Sequence, residues 1–129
     1  YEQTKDDPAS HGLVGAEMLS GFGLKEEVLR AIKAHNPATG FSPQSKLEWA
    51  IFCVDPTSGF IVACALIHPE KKLASLNLDF LLNRFKEKSF ARGANREQIR
   101  SCERLGLSLE DFLSLSLAAM KERSQELGL

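Results

Sequence analysis

A chain of 129 residues with 43% apolar side chains is long enough to bury one hydrophobic core and too apolar to be disordered. Its 16 basic and 17 acidic side chains leave a net charge of −1, which argues against broad attraction to nucleic acid or to an anionic membrane. Three cysteines, Cys53, Cys64 and Cys102, are odd in number and form no CxxC, so they are expected to be reduced thiols in a cytoplasmic protein.

The chain opens at Tyr1 and not at Met, with no charged-then-apolar leader, and a natural N-terminal segment is expected to be missing. Asp6-Asp7-Pro8 marks a turn. Ser10 is placed to cap a first helix over about His11 to Ser20, in which His11, Val14 and Met18 share a face. Gly21-Phe22-Gly23 stops it. A second helix from about Lys25 to His35 carries Val28, Ile32 and His35 on one stripe and ends before Pro37.

Ser45-Lys46-Leu47-Glu48 is a capping-box pattern opening a third helix. Leu47, Ala50, Ile51 and Val54 fall at the spacing of a buried helix face. Pro56 is expected to interrupt that helix, with Asp55 capping a fourth over Thr57 to about Ile67, whose buried face is Ser58, Ile61, Val62 and Ala65. Broken in this way, no apolar run approaches the roughly 20 residues of a membrane span. His68 lies in a charged turn and is taken as a surface residue. Leu78, Leu81, Leu82 and Phe85 mark a fifth helix ending near Lys88. Asn95 opens a sixth, to about Leu105, and Gly106 ends it. Ser108 opens the last, to about Leu127, with Leu109, Phe112, Leu113, Leu117 and Met120 facing inward. No segment alternates like a strand. The expectation is a single all-α domain over residues 1–129 with six or seven helices.

Three residues ask for a chemical explanation. His11 at a helix start would be held neutral by the helix dipole, as a metal ligand requires; the plainer alternative is a half-buried ring bonded to backbone. His35 at a helix end could equally be a C-terminal cap. Asp55 is either an N-cap ahead of Pro56 or a carboxylate ligand beside buried helices. Lys71, Lys72, Arg84, Lys86, Lys88, Arg92 and Arg96 make the middle of the chain basic, most simply as a solvated face. Within that run, Lys88, Ser89 and Arg92 flank a loop able to hold a phosphate by charge-assisted hydrogen bonds.

Pro8-Ala-Ser-His-Gly-Leu-Val-Gly-Ala-Glu-Met-Leu19, Ala31-Ile-Lys-Ala-His-Asn36 and Leu47-Glu-Trp-Ala-Ile-Phe-Cys-Val-Asp55 resemble three successive segments of HD-domain metal-dependent phosphohydrolases. Arg84-Phe-Lys-Glu-Lys-Ser-Phe-Ala-Arg-Gly93 resembles a bacterial subgroup of the same superfamily. The resemblance implies an HD-domain-like helical bundle acting on a phosphate ester or nucleotide with a divalent metal. It implies that Asp55 is the closing carboxylate ligand. It also implies that His11 and His35 serve a second metal or the substrate phosphate, with Lys88 and Arg92 assisting there. The family's adjacent His-Asp pair is absent from this chain, which implies the C-terminal portion of such a domain, inactive in isolation. The apolar faces left uncovered would then drive homo-oligomerisation. The alternative is a non-catalytic helical assembly module. Neither nucleic acid nor a membrane is an expected partner.

Overall fold

The computed structural model describes Thr4 and residues 6–129. Among these residues there are seven α-helices and no strand, so the fold is all-α. The helices are α1 (Leu13–Leu19), α2 (Glu26–Ala34), α3 (Lys46–Ile67), α4 (Leu78–Lys86), α5 (Arg96–Arg100), α6 (Leu109–Glu122) and α7 (Ser124–Leu127). The chain divides into two compact units, Tyr1–Cys53 and Val54–Leu129, and the division falls inside α3.

In the first unit α1 packs on α2, burying Ala16 against Leu29, Ala31 and Ala34. The first helix begins later than expected. Ser10 does not cap it; its hydroxyl donates to the Asp7 carbonyl, and Gly12 stands at the N-cap with φ 92°. Gly12 is needed there for two reasons. Its φ is one that L side chains avoid, and a Cβ would lie 2.9 Å from the Ile32 carbonyl oxygen. His11 is therefore in the turn before α1, outside the helix. The Ser45–Glu48 box forms as expected: the Ser45 hydroxyl accepts from the Glu48 amide at 3.2 Å. The reciprocal bond goes one residue further back, to the Gln44 amide at 2.9 Å. The buried Glu48 carboxylate also pairs with Arg30 at 3.1 Å, so its burial leaves neither oxygen unsatisfied.

Pro56 does not break α3, and Asp55 is not an N-cap. Both lie inside one helix of 22 residues. Proline removes one ladder bond, but the flanking turns bury Cys53, Pro56, Thr57, Phe60, Ile61, Cys64 and Ala65, and that burial outweighs the loss. The buried face differs from the expected one. Leu47, Ile51, Val54 and Ser58 are exposed, whereas Ile61 and Ala65 are buried as expected. Unbroken, α3 is also long and apolar enough by length and composition to cross a bilayer, contrary to the sequence expectation. The same test is passed by core helices, and the second half of α3 is the centre of the second unit's core.

That core joins Phe60, Ile61 and Cys64 of α3 with Leu73, Leu76, Leu81, Phe85, Ile99, Cys102, Leu113 and Leu117. All three cysteines are buried free thiols, as the sequence suggests. Asn77, Asn95 and Ser108 cap α4, α5 and α6, accepting from the amides of Phe80, of Glu97 and Gln98, and of Asp111 respectively. The sixth predicted helix is shorter than expected: α5 gives way to a 3-10 turn over Ser101–Leu105, and Gly106 ends it at φ 79°. The last predicted helix divides at Arg123 into α6 and α7. His68 is half-buried, edge-on to Phe80 with ring centroids 5.3 Å apart, and its Nδ1 accepts from the Glu70 amide.

Candidate functional site

The segment before α1 and the end of α2 meet at His11 and His35. Their ring centroids are 5.2 Å apart and nearly edge-on, 74° between planes. Both rings line a cavity of about 140 Å³ with Thr4, Val14, Met18 and Ile32. The shared face of His11, Val14 and Met18 thus faces one pocket, although His11 precedes the helix. The Thr4 hydroxyl lies 3.2 Å from His11 Nδ1.

His35 is the C-cap residue of α2, and its Nδ1 sits 2.5 Å from the Ile32 carbonyl oxygen. A carbonyl only accepts, so Nδ1 carries the proton and donates. In the neutral ring the lone pair then belongs to Nε2. An imidazole whose Nδ1–H is tied to a backbone carbonyl is oriented for Nε2 ligation, the usual support of a metal-bound histidine. The helix-cap alternative and the ligand reading therefore describe the same hydrogen bond.

Asn36 is the residue that sequence reasoning missed here. Its amide nitrogen donates to the carbonyls of Pro8 at 2.6 Å and His11 at 3.0 Å. Its side-chain oxygen accepts from the Ala38 amide at 3.0 Å. Asn36 thereby pins the His11 turn beside the end of α2. Its position immediately after His35 is the only sequence signal, and the partner carbonyls lie 28 and 25 residues away.

Asp55 belongs to the second unit, where it lines a separate cavity of about 370 Å³ with Pro56, Gly59, Ala91, Gly93 and Ala94. Lys88 and Arg92 are exposed on the loop between α4 and α5. That loop is organised by Arg96, which the sequence places in a solvated basic face. Its guanidinium donates to four backbone carbonyls: Phe85 at 3.3 Å, Ala91 at 3.1 Å, Ala94 at 2.7 Å and Phe90 at 2.7 Å. It also lies over the rings of Phe60 at 4.7 Å and Phe85 at 5.3 Å. Burial pulls its pKa below the ordinary arginine value, yet a guanidinium remains charged, and the carbonyls and rings supply the compensation.

Two imidazoles fit part of the ligand shell of a divalent transition metal. Among the described residues no group of three or more His, Cys, Asp and Glu side chains is placed to hold an ion. No family model matches the chain, and neither a curated protein nor a solved structure matches it.

Proposed function

We propose that the chain carries part of a metal-dependent phosphohydrolase acting on a phosphate ester or nucleotide, with His11 and His35 as imidazole ligands. The observation that supports this is the carbonyl-anchored His35 ring beside His11 on a common cavity. A bound divalent metal would supply an activated water and neutralise charge on phosphoryl oxygens. This chain's residues would hold and orient: His35 through its bond to Ile32, and His11 through the turn that Asn36 fixes. Asp55 keeps the carboxylate role that the family resemblance implies, and Lys88 and Arg92 that of phosphate-binding cations.

The test is metal content by elemental mass spectrometry on the purified chain and on His11→Ala, His35→Ala and Asp55→Ala. Loading with transition metal that falls in both histidine variants is the expected result. Metal-free protein throughout would overturn the reading, and loss in Asp55→Ala decides its part separately.

The second reading, a helical assembly module, has its own observation. Leu47, Ile51 and Val54 of α3 are each at least 40% exposed, and Leu115 of α6 is 61% exposed. Val54, Ser58, Phe112, Leu115, Ala119 and Met120 line a nearly all-apolar groove of about 230 Å³. This apolar groove of the second unit suits a partner helix, and self-association is the outcome this reading requires.

A further inference from the structure

In the second unit, the groove between α3 and α6 is apolar, yet its surroundings are not neutral. Phe112, Leu115, Ala119 and Met120 line it from α6, and Val54 and Ser58 from α3. Its volume of about 230 Å³ lies below the roughly 300–1,000 Å³ of small-molecule pockets, and it offers few polar groups to orient such a molecule. The Ser58 hydroxyl is turned back onto the Asp55 carbonyl at 2.8 Å. A trough of this kind between two helices takes the apolar side chains of a third, spaced at i, i+3, i+4 and i+7. Met120 in the lining suits that use, because a flexible thioether adapts to the side chain it meets.

The sequence of α6 gives this trough charged ends. Asp111, Leu115, Ala119 and Glu122 follow one another at i, i+4, i+8 and i+11, so they share a face of the helix. Leu115 is 61% exposed, and Asp111 and Glu122 are exposed on either side of it. The face is thus an apolar middle with a carboxylate one turn before it and another one turn after. Glu110 adds a third at the start of the helix. The nearby cations are engaged: Lys121 donates to the Leu76 carbonyl at 2.7 Å, and Arg123 pairs with Glu126 at 2.8 Å. From Val54 to Ile67, α3 contributes no lysine or arginine. Two copies joined symmetrically through this face would oppose their own carboxylates. An antiparallel pair of α6 helices with Leu115 over Ala119 brings Asp111 towards Glu122, like charge on like. The occupant that fits both the middle and the ends is a helix whose apolar stripe is flanked by lysine or arginine.

We propose that the groove of α3 and α6 docks a basic amphipathic helix of another protein, with its apolar stripe on Leu115 and its cations facing Asp111 and Glu122. The inference takes the groove from the assembly reading but not the occupant, and it is independent of the phosphohydrolase reading.

The test uses the whole chain and three synthetic peptides of about 15 residues, long enough for a helix to form on binding. One has leucines at i, i+3, i+4 and i+7 flanked by lysines. The second flanks the same leucines with glutamates, and the third keeps the lysines but has serines in place of the leucines. Binding is followed by fluorescence anisotropy of labelled peptide and by amide NMR shifts of the chain. The leucine–lysine peptide is expected to bind about tenfold or more tighter than either control and to shift amides in residues 54–58 and 112–120. Leu115→Lys is expected to abolish this binding. Asp111→Asn with Glu122→Gln is expected to weaken it about fivefold and to flatten its salt dependence, as for other screened pairs at exposed positions. All three positions are exposed, and an unchanged melting temperature shows that each variant folds. Equal affinity for the lysine and glutamate peptides would overturn the proposal, as would shifts confined to other parts of the chain. Self-association that Leu115→Lys abolishes, with no peptide bound, would give the groove to a second copy; that result supports the assembly reading and overturns this one. Failure of the metal reading is seen separately, in the metal content of the histidine variants.

Discussion

Asn36 holds the candidate site together through backbone carbonyls, so its loss is a structural event with a chemical readout. Asn36→Ala removes two donated bonds and one accepted bond, and is expected to destabilise the fold by about 1–3 kcal/mol in urea unfolding. Metal content should fall with it if His11 is a ligand. Gly12→Ala forces a Cβ onto the Ile32 carbonyl at an unfavourable φ, and a loss of about 1–2 kcal/mol is expected in the same measurement. The buried thiol of Cys64 makes a pH prediction. Burial pushes its pKa up to about 12, with Arg96 and Arg84 pulling weakly the other way. The unfolded thiol ionises near 9, so below that pH the group does not oppose folding. Between pH 9 and 12 the unfolded chain alone releases the proton, and stability falls by up to about 1.4 kcal/mol per pH unit. Denaturant midpoints measured across this range should drop more steeply in the parent than in Cys64→Ala.

At the scale of the element, α3 shows which sequence signals survive folding. Its capping box was legible because both partners are local, at Ser45 and Glu48. Its continuity was not, because a proline's cost is local while the burial that offsets it comes from α4, α5 and α6, which the periodicity of α3 alone does not contain. The buried face was misassigned for the same reason. Leu47, Ile51 and Val54 have the right spacing, but Cys53, Phe60 and Cys64 have the neighbours. Pro56→Ala restores the amide donor and forfeits some buried ring surface. A net gain of about 1 kcal/mol is expected in thermal unfolding. Arg96→Met keeps the apolar contact and deletes the donors to four carbonyls. Hydrogen exchange should then accelerate across residues 87–95 while α6 stays protected. Arg96 was illegible as a keystone because its acceptors are main-chain atoms, which no residue pattern displays.

For the whole molecule, composition and helix signals gave an all-α chain, and the seven helices agree. The two imidazoles were legible as candidates. Their meeting was implied by the resemblance and not by spacing, since it depends on a turn that Gly12 and Asn36 shape across more than 20 residues of chain. The surface carries exposed Met18, Phe22, Ile51, Val54 and Leu115, with a net charge of only −1 and a sequence pI near 6.3. Proteins near zero net charge have little repulsion to keep such surfaces apart. Mean mass by light scattering should therefore rise as pH approaches 6.3 and as concentration increases. Ile51→Lys with Leu115→Lys should lower it at fixed pH. An unchanged monomer mass in the parent over a wide concentration range would count against the assembly reading.

The Arg96 clamp has a bearing on how this chain tolerates change. The groups that it grips at Ala91 and Ala94 are main-chain carbonyls, identical in every amino acid, so much of the loop's shape is encoded outside the loop. In a saturation library selected for folding, position 94 should accept many residues and position 96 almost none, while position 91, at φ 45°, should favour glycine, asparagine and aspartate. A site built this way can be retuned by exchanging the loop's side chains one by one, with its backbone template carried along unaltered.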